Sequence, residues 1–289
     1  MRVEGPMPPV QPAGLTACAA GRPPGDREPG VRRWLRGLGL LLGLAPLAGC
    51  AVSPIPHDIA RRQQAVRALL PELQPQLQEG DILFRMGEVR VLNGQVNFSH
   101  LIGQLTRSDF SHAAIVYKVA DDGVLVADVS VEGIERRYLN DWLMDGPDNL
   151  VVKRVKPDYR AVLPRVSQVL RELVEADVLY DADFREDDRK FYCTEAVDYC
   201  YRQAGLPLAE HVRIRELPGY NLWAALGCLL VGLNVNEPVI IAGNDRVGLF
   251  SSPYLETVLD LRAGAGPVLA GKTGPPTPTV QAAAHPGSH

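Results

Sequence analysis

The 289-residue chain predicts an α+β fold: a small antiparallel sheet packed against helices, with a cysteine opening one of those helices. Three observations carry this. Strand-like runs at 113–119 and 124–129 are joined by Asp121-Asp122-Gly123, a tight hairpin signal. Residues 159–176 set Val162, Val166, Val169, Leu170 and Leu173 at helical spacing. A second amphipathic segment begins at Cys193 and ends near Ala204, with Gly205 and Pro207 as stop signals.

Taken in order, residues 1–30 are rich in Pro, Gly and Ala and show no apolar periodicity, so they are expected to be disordered, as is the similar stretch 263–289. Arg32, Arg33 and Arg36 then form a basic region, followed by an apolar core at 38–47 that is too short to span a bilayer. The core closes on Leu47-Ala48-Gly49-Cys50, which resembles a bacterial lipobox. That resemblance implies cleavage before Cys50 and lipidation of Cys50, leaving residues 50–57 as a tether to a folded domain at 58–262. Several acyl chains on one residue hold a protein stably on a membrane.

Within the domain, Asp58 is placed to cap a helix running to Leu70, before Pro71 and Pro75. Gly80-Asp81-Ile82-Leu83-Phe84-Arg85 reads as a turn into a strand. Residues 98–105 predict a short helix. After the hairpin, 141–144 predict another short helix and 150–155 a third strand. Pro164 falls in the first turn of the 159–176 helix, where proline is tolerated. Residues 222–233 are strongly apolar; at about a dozen residues they read as a buried segment, with an exposed lipid-facing lip as the alternative. Residues 238–242 read as a short strand.

Charge narrows the partners. Residues 1–49 hold six Arg and three acidic residues, so the remaining chain carries 30 − 6 = 24 basic and 34 − 3 = 31 acidic groups, a net of −7. Such a field does not steer the chain toward nucleic acid. Of the five cysteines, Cys193, Cys200 and Cys228 fall in the domain, an odd number, and the spacing of Cys193 and Cys200 on one helix is too long for a disulfide. At least one thiol stays free in a chain that carries an export signal. No Cys-x-x-Cys motif is present and two of the six histidines lie in the final tail, so neither a metal site nor a cofactor is expected.

The chemistry concentrates at Cys193. A thiol at a helix start feels the positive end of the helix dipole, which lowers its pKa. His112, in Ser111-His112-Ala113, opens the first strand of the hairpin and can take the thiol proton. Asp128, on the partner strand, can orient the imidazole if the two share a face. The backbone N–H of Cys193 is a natural oxyanion donor. Each residue also has a structural reading: a buried small thiol, a strand-start histidine, a solvated acid.

Three blocks go further. They are Gly80-Asp81-Ile82-Leu83-Phe84; Ser108-Asp109-Phe110-Ser111-His112 with Ala127-Asp128-Val129; and Tyr180-Asp181, Phe184, Asp188 with Tyr192-Cys193-Thr194-Glu195. Together they resemble the circularly permuted, papain-fold cysteine hydrolases of NlpC type, the YiiX/YaeF-like group. The resemblance implies a permuted papain-like fold, Cys193 as nucleophile, His112 as base and Asp128 as the third polar residue, in a position where relatives carry Glu. Thr194 stands where many relatives have Ser. It also implies that Tyr180 borders the site and assists the oxyanion.

The expected function is a lipid-anchored, cell-envelope cysteine hydrolase acting through a thioacyl intermediate. Its substrate would be a peptide or peptidoglycan amide, or a lipid amide or ester, and acyl transfer is a variant of the same chemistry. In a two-membrane bacterium the residue after Cys50, Ala51, points to the outer membrane facing the periplasm. The alternative is a papain-like module that binds an envelope ligand or partner without turnover.

Overall fold

The computed structural model describes residues 56–262, apart from 93–95, 147–148, 183 and 185–189. The signal-like segment, Cys50, residues 263–289 and Asp188 lie outside the described residues.

The chain enters through α1 (Pro56–Leu73) and a 3₁₀ turn (Gln74–Gln76), then β1 (Ile82–Arg85), β2 (Arg90–Val91), β3 (Val96–Asn97) and α2 (Phe98–Thr106). The side chain of Asn97 caps α2, accepting from the His100 N–H at 3.0 Å. The hairpin follows as β4 (His112–Ala120) and β5 (Gly123–Ser130), then β6 (Gly133–Tyr138), α3 (Leu139–Met144) and β7 (Val151–Val155). A 3₁₀ turn (Pro157–Val162) leads into α4 (Leu163–Glu175), and then come β8 (Leu179–Tyr180), β9 (Lys190–Phe191) and α5 (Cys193–Gln203). The last elements are β10 (Val212–Arg213), α6 (Leu222–Val231), β11 (Pro238–Val239) and β12 (Leu255–Asp260).

Six strands form one sheet in the order β12-β7-β1-β4-β5-β6, every neighbouring pair antiparallel. Side chains alternate between its faces. Ile82, Phe84, Ala113, Ile115 and Ala127 pack with Val166, Leu170 and Leu173 of α4 and Ala196, Val197 and Cys200 of α5. Leu83, Ala114, Val116, Val126 and Val152 pack on the opposite side with Leu139, Trp142 and Leu143 of α3 and Val66 and Leu73 of α1. A third apolar cluster joins α2 and α6 through Leu101, Leu105, Ala224, Cys228 and Leu233.

The expected α+β class, with an antiparallel sheet against helices, is what the structure contains, and four details depart from the sequence reading. α1 runs through Pro71 rather than stopping at Leu70, because Leu73 is wholly buried in the cluster around Trp142 and holds the last turn. The helix expected at 159–176 splits: its first turn is 3₁₀, and α4 proper starts at Leu163, where Pro164 is accommodated. Two strands of the sheet, β6 and β12, were not anticipated. The 222–233 segment, expected to be buried, is a helix with one side packed and the other in solvent: Leu222 and Leu229 are 74% exposed and Trp223 is 80% exposed.

Candidate active site

The site forms where the His112 end of β4 meets the N-terminus of α5. The register that sets Ile115 opposite Ala127 places Asp128 opposite Ala114, two residues from His112 and on the same face. His112 Nε2 lies 2.6 Å from Asp128 Oδ1. The same imidazole is hydrogen-bonded to the Cys193 thiol, which leaves Nδ1 for the sulfur, and the backbone N–H of Ala113 donates to that sulfur as well. The three residues singled out in the sequence therefore meet, in the order acid, imidazole, thiol.

Burial alone would push each of these groups toward its neutral form. The Cys193 thiol is nevertheless lowered from its ordinary value of 9.0, because the His112 charge and the two hydrogen bonds outweigh desolvation, with the Asp128 charge acting the other way. Burial would lower the His112 imidazolium, but Asp128 and the Cys193 thiolate raise it to about 9. Asp128, 2% exposed, is held well below the usual carboxylate range: desolvation is overcome by His112, then by Arg85 and Arg137. Both shifts favour the thiolate–imidazolium form of the pair.

Local clamps fix the start of α5. The peptide of Ile240 makes two hydrogen bonds to the α5 start: its N–H donates to the Tyr192 hydroxyl and its carbonyl accepts from the Thr194 hydroxyl, both at 2.7 Å. The Glu195 carboxylate accepts from the Tyr192 N–H at 3.4 Å, a helix-capping role rather than a chemical one. At the far end of α5, the Tyr201 hydroxyl donates to the Gly80 carbonyl at 2.5 Å, tying the helix to the turn before β1.

Tyr180 reaches the site through parallel pairing of β8 with β9, which sets it opposite Phe191, two residues before Cys193. β8 in turn follows Val178, whose carbonyl accepts from the Ile134 N–H at 3.0 Å. Gly133 permits this approach: its φ is +114°, and a Cβ there would lie 2.6 Å from the Val178 oxygen. Burial, then the Cys193 and Asp181 charges, push the Tyr180 phenol far up, so it stays a hydroxyl donor.

The sequence reading missed a second tier of charge. Arg137 Nη1 bridges Asp128 Oδ2 at 3.3 Å and Asp145 Oδ2 at 2.5 Å. Arg85, paired in register with His112, lies buried with its guanidinium carbon 4.3 Å from the Trp142 ring centroid and Nη2 3.7 Å from Asp145. Its Nε and Nη1 have no hydrogen-bond partner among the described residues. Trp142 also flanks the imidazole, with ring centroids 6.0 Å apart. Arg85 closes the predicted first strand, and that position was the one signal the sequence held for it; Arg137 sits in a strand that gave none.

A cavity of about 370 Å³ opens over Cys193, His112 and Asp128. Its far wall is apolar, built from Phe98, Ile102 and Leu105 of α2 with Leu217, Leu233 and Val239; Arg62 and Glu88, paired at 2.5 Å, stand at its rim.

Comparison with known proteins finds two similarities. Residues 76–217 match the family model of the permuted papain-like amidase enzymes, YaeF/YiiX, C92 family. Among solved structures, metalloprotein yiiX from Escherichia coli O157:H7 aligns over 65% of this chain and 99% of its own, at 23% identity and a TM-score of 0.54, a likeness of fold. No curated protein matches. That structure is of a protein called a metalloprotein; in this chain the described residues bring together no group of three His, Cys, Asp or Glu suited to a metal ion.

Proposed function

We propose that this chain is a cysteine amidase of the permuted papain-like kind, working through a thioacyl enzyme. The observation that carries the reading is His112 held between Asp128, at 2.6 Å, and the Cys193 thiol. The match of residues 76–217 to a family of amidase enzymes supports hydrolysis as the reaction class.

In this reading the Cys193 thiolate attacks the carbonyl carbon of the scissile amide or ester. Negative charge develops on the carbonyl oxygen, where the backbone N–H at the start of α5 and the Tyr180 hydroxyl serve as donors. The His112 imidazolium protonates the leaving nitrogen or oxygen as its bond to carbon breaks, and a thioester remains on Cys193. Neutral His112 then takes a proton from water, whose oxygen attacks the thioester; the carboxylic acid leaves and the thiol is restored. Asp128 keeps the imidazole oriented throughout.

The substrate class follows from the cavity. An apolar wall of Phe98, Ile102, Leu105 and Leu217 suits an apolar acyl group better than a peptidoglycan stem peptide, so the preferred substrate is a lipid amide or ester. The lipobox-like Leu47-Ala48-Gly49-Cys50 supports attachment to the cell envelope through Cys50. No helix among the described residues is long and apolar enough to cross a membrane, so the anchor would be the lipidated cysteine.

The test is to incubate the protein with an envelope extract, quench in acid, and weigh the Cys193 peptide. An added acyl mass, absent in Cys193→Ala and accumulating when the hydrolytic step is slowed, is the expected result. A Cys193 that acquires no acyl group, and reacts with thiol probes no faster than Cys200, supports the non-catalytic binding module instead.

A further inference from the structure

The α6 helix reads Leu-Trp-Ala-Ala-Leu-Gly-Cys-Leu-Leu-Val, ten residues without a single charged or hydrogen-bonding side chain apart from the Trp223 indole and the Cys228 thiol. Only Ala224 and Cys228 are buried. They face α2, where the Leu101 side chain lies so close to Gly227 that an added Cβ would sit 3.0 Å from it. The opposite side presents Leu222, Trp223, Leu226, Leu229 and Leu230 to solvent, 43–80% exposed. Exposed apolar surface that is contiguous in this way marks a contact with something other than water.

We infer that this face of α6 docks the domain onto a lipid bilayer. A protein partner is specified by hydrogen bonds and charges spread through its interface, and α6 offers almost none; the apolar interior of a bilayer asks for none. Trp223, at the helix start, is the residue type that settles at the boundary between headgroups and acyl chains. α6 is also continuous with the candidate site: it packs on α2, whose residues Phe98, Ile102 and Leu105 line the cavity, and Leu233 just past α6 lines it too. The chain itself sets the distance. Cys50 is separated from the start of α1 by five residues, a reach of about 20 Å at most, and Arg62 at the cavity rim lies six residues, about 9 Å, further along α1. An anchor at Cys50 therefore holds the cavity rim within about 30 Å of the membrane, where a docking face beside that cavity meets lipid. This last step rests on the proposed anchor; the exposed face does not.

The chain from residue 51 onward holds every described element and lacks Cys50, so it tests the surface apart from the proposed anchor. Its tryptophans are Trp142, wholly buried, and Trp223, so a change in emission reports Trp223. With vesicles of uncharged phosphatidylcholine the protein is expected to float with the lipid and its emission to shift to the blue. The double variant Leu222→Ser/Leu229→Ser, at positions too exposed to affect folding, is expected to bind at least tenfold more weakly. Absence of wild-type binding, equal binding by the variant, or a wild-type dimer that the variant turns into a monomer each overturn the inference. Thiol labelling of Cys193 run in parallel separates the two readings: vesicle binding with an unreactive Cys193 leaves the surface standing and removes the hydrolase, and a reactive Cys193 without vesicle binding does the reverse.

Discussion

His112 and Asp128 are joined at 2.6 Å across two strands although they do not face each other in the register. The contact is diagonal: Asp128 stands opposite Ala114, and the small side chain there leaves the carboxylate room to reach along the sheet toward the imidazole. The short Asp128 side chain spans the gap because β4 and β5 are neighbours in the sheet.

The contact sets a pH dependence. Burial opposes the imidazolium, yet Asp128 and the thiolate raise His112 to about 9, above its unfolded value of 6.5. A raised histidine contributes stability that is full below the unfolded value and is lost as pH rises through about 9. The ion pair, and with it kcat/KM, is expected to fail on the alkaline side near that value. Asp128→Asn is expected to move this limb to lower pH and to reduce the rate by about 10²–10⁴-fold. A profile of kcat/KM against pH for both proteins checks this; an unmoved alkaline limb contradicts it.

The three described thiols are expected to differ sharply. Cys193 is lowered by His112, whereas burial pushes Cys200 far up and raises Cys228. At neutral pH an alkylating reagent should modify Cys193 alone, and His112→Ala should slow that reaction about a hundredfold. Peptide mass mapping over a time course reads it, and equal modification of Cys193 and Cys200 in the folded protein would refute it.

Arg137 is a positioning residue in this arrangement, since it holds the Asp128 oxygen that His112 does not use and is itself held by Asp145. Arg137→Leu is expected to lower kcat about tenfold with little change in KM and, because it removes a positive charge while Asp128 stays ionised, to shift the alkaline limb opposite to Asp128→Asn, toward higher pH. Arg137→Lys should restore part of both effects. A loss confined to thermal stability, with an unchanged pH profile, would assign Arg137 a purely structural role.

Asp81, in the first motif block, supports the fold and not the chemistry. Its two oxygens accept from Arg154 Nε and Nη2, both at 2.7 Å, and one also accepts from the Gln78 N–H at 2.8 Å. Asp81→Ala leaves the half-buried guanidinium without its carboxylate, with only the Gln76 carbonyl still accepting from it, and is expected to destabilise the domain by about 3 kcal/mol. Urea denaturation measures this, with Cys193 reactivity unchanged in the folded fraction.

What the sequence disclosed followed from local signals. The Asp121-Asp122-Gly123 turn fixed the hairpin that carries His112 and Asp128, and the Gly205–Pro207 stop fixed the helix that Cys193 opens. β6 stayed hidden because Ile134-Glu135-Arg136-Arg137 has no apolar alternation; it is an edge strand whose polar residues serve Asp128 and solvent, and so Arg137 was missed with it. β12 carries an irregularity between Thr257 and Leu259 that breaks the period of two. α6 misled in the other direction, since a helix apolar all round reads as buried whichever way it faces.

The Thr194–Ile240 and Tyr192–Ile240 hydrogen bonds also carry a consequence for timing. They join residues 46 and 48 positions apart, and the Tyr201–Gly80 bond spans 121. The imidazole and carboxylate come from one hairpin, but α5 is clamped against them only through residue 240, far along the chain. The setting that lowers the Cys193 thiol is therefore complete only once the segment around Ile240 has packed against the start of α5.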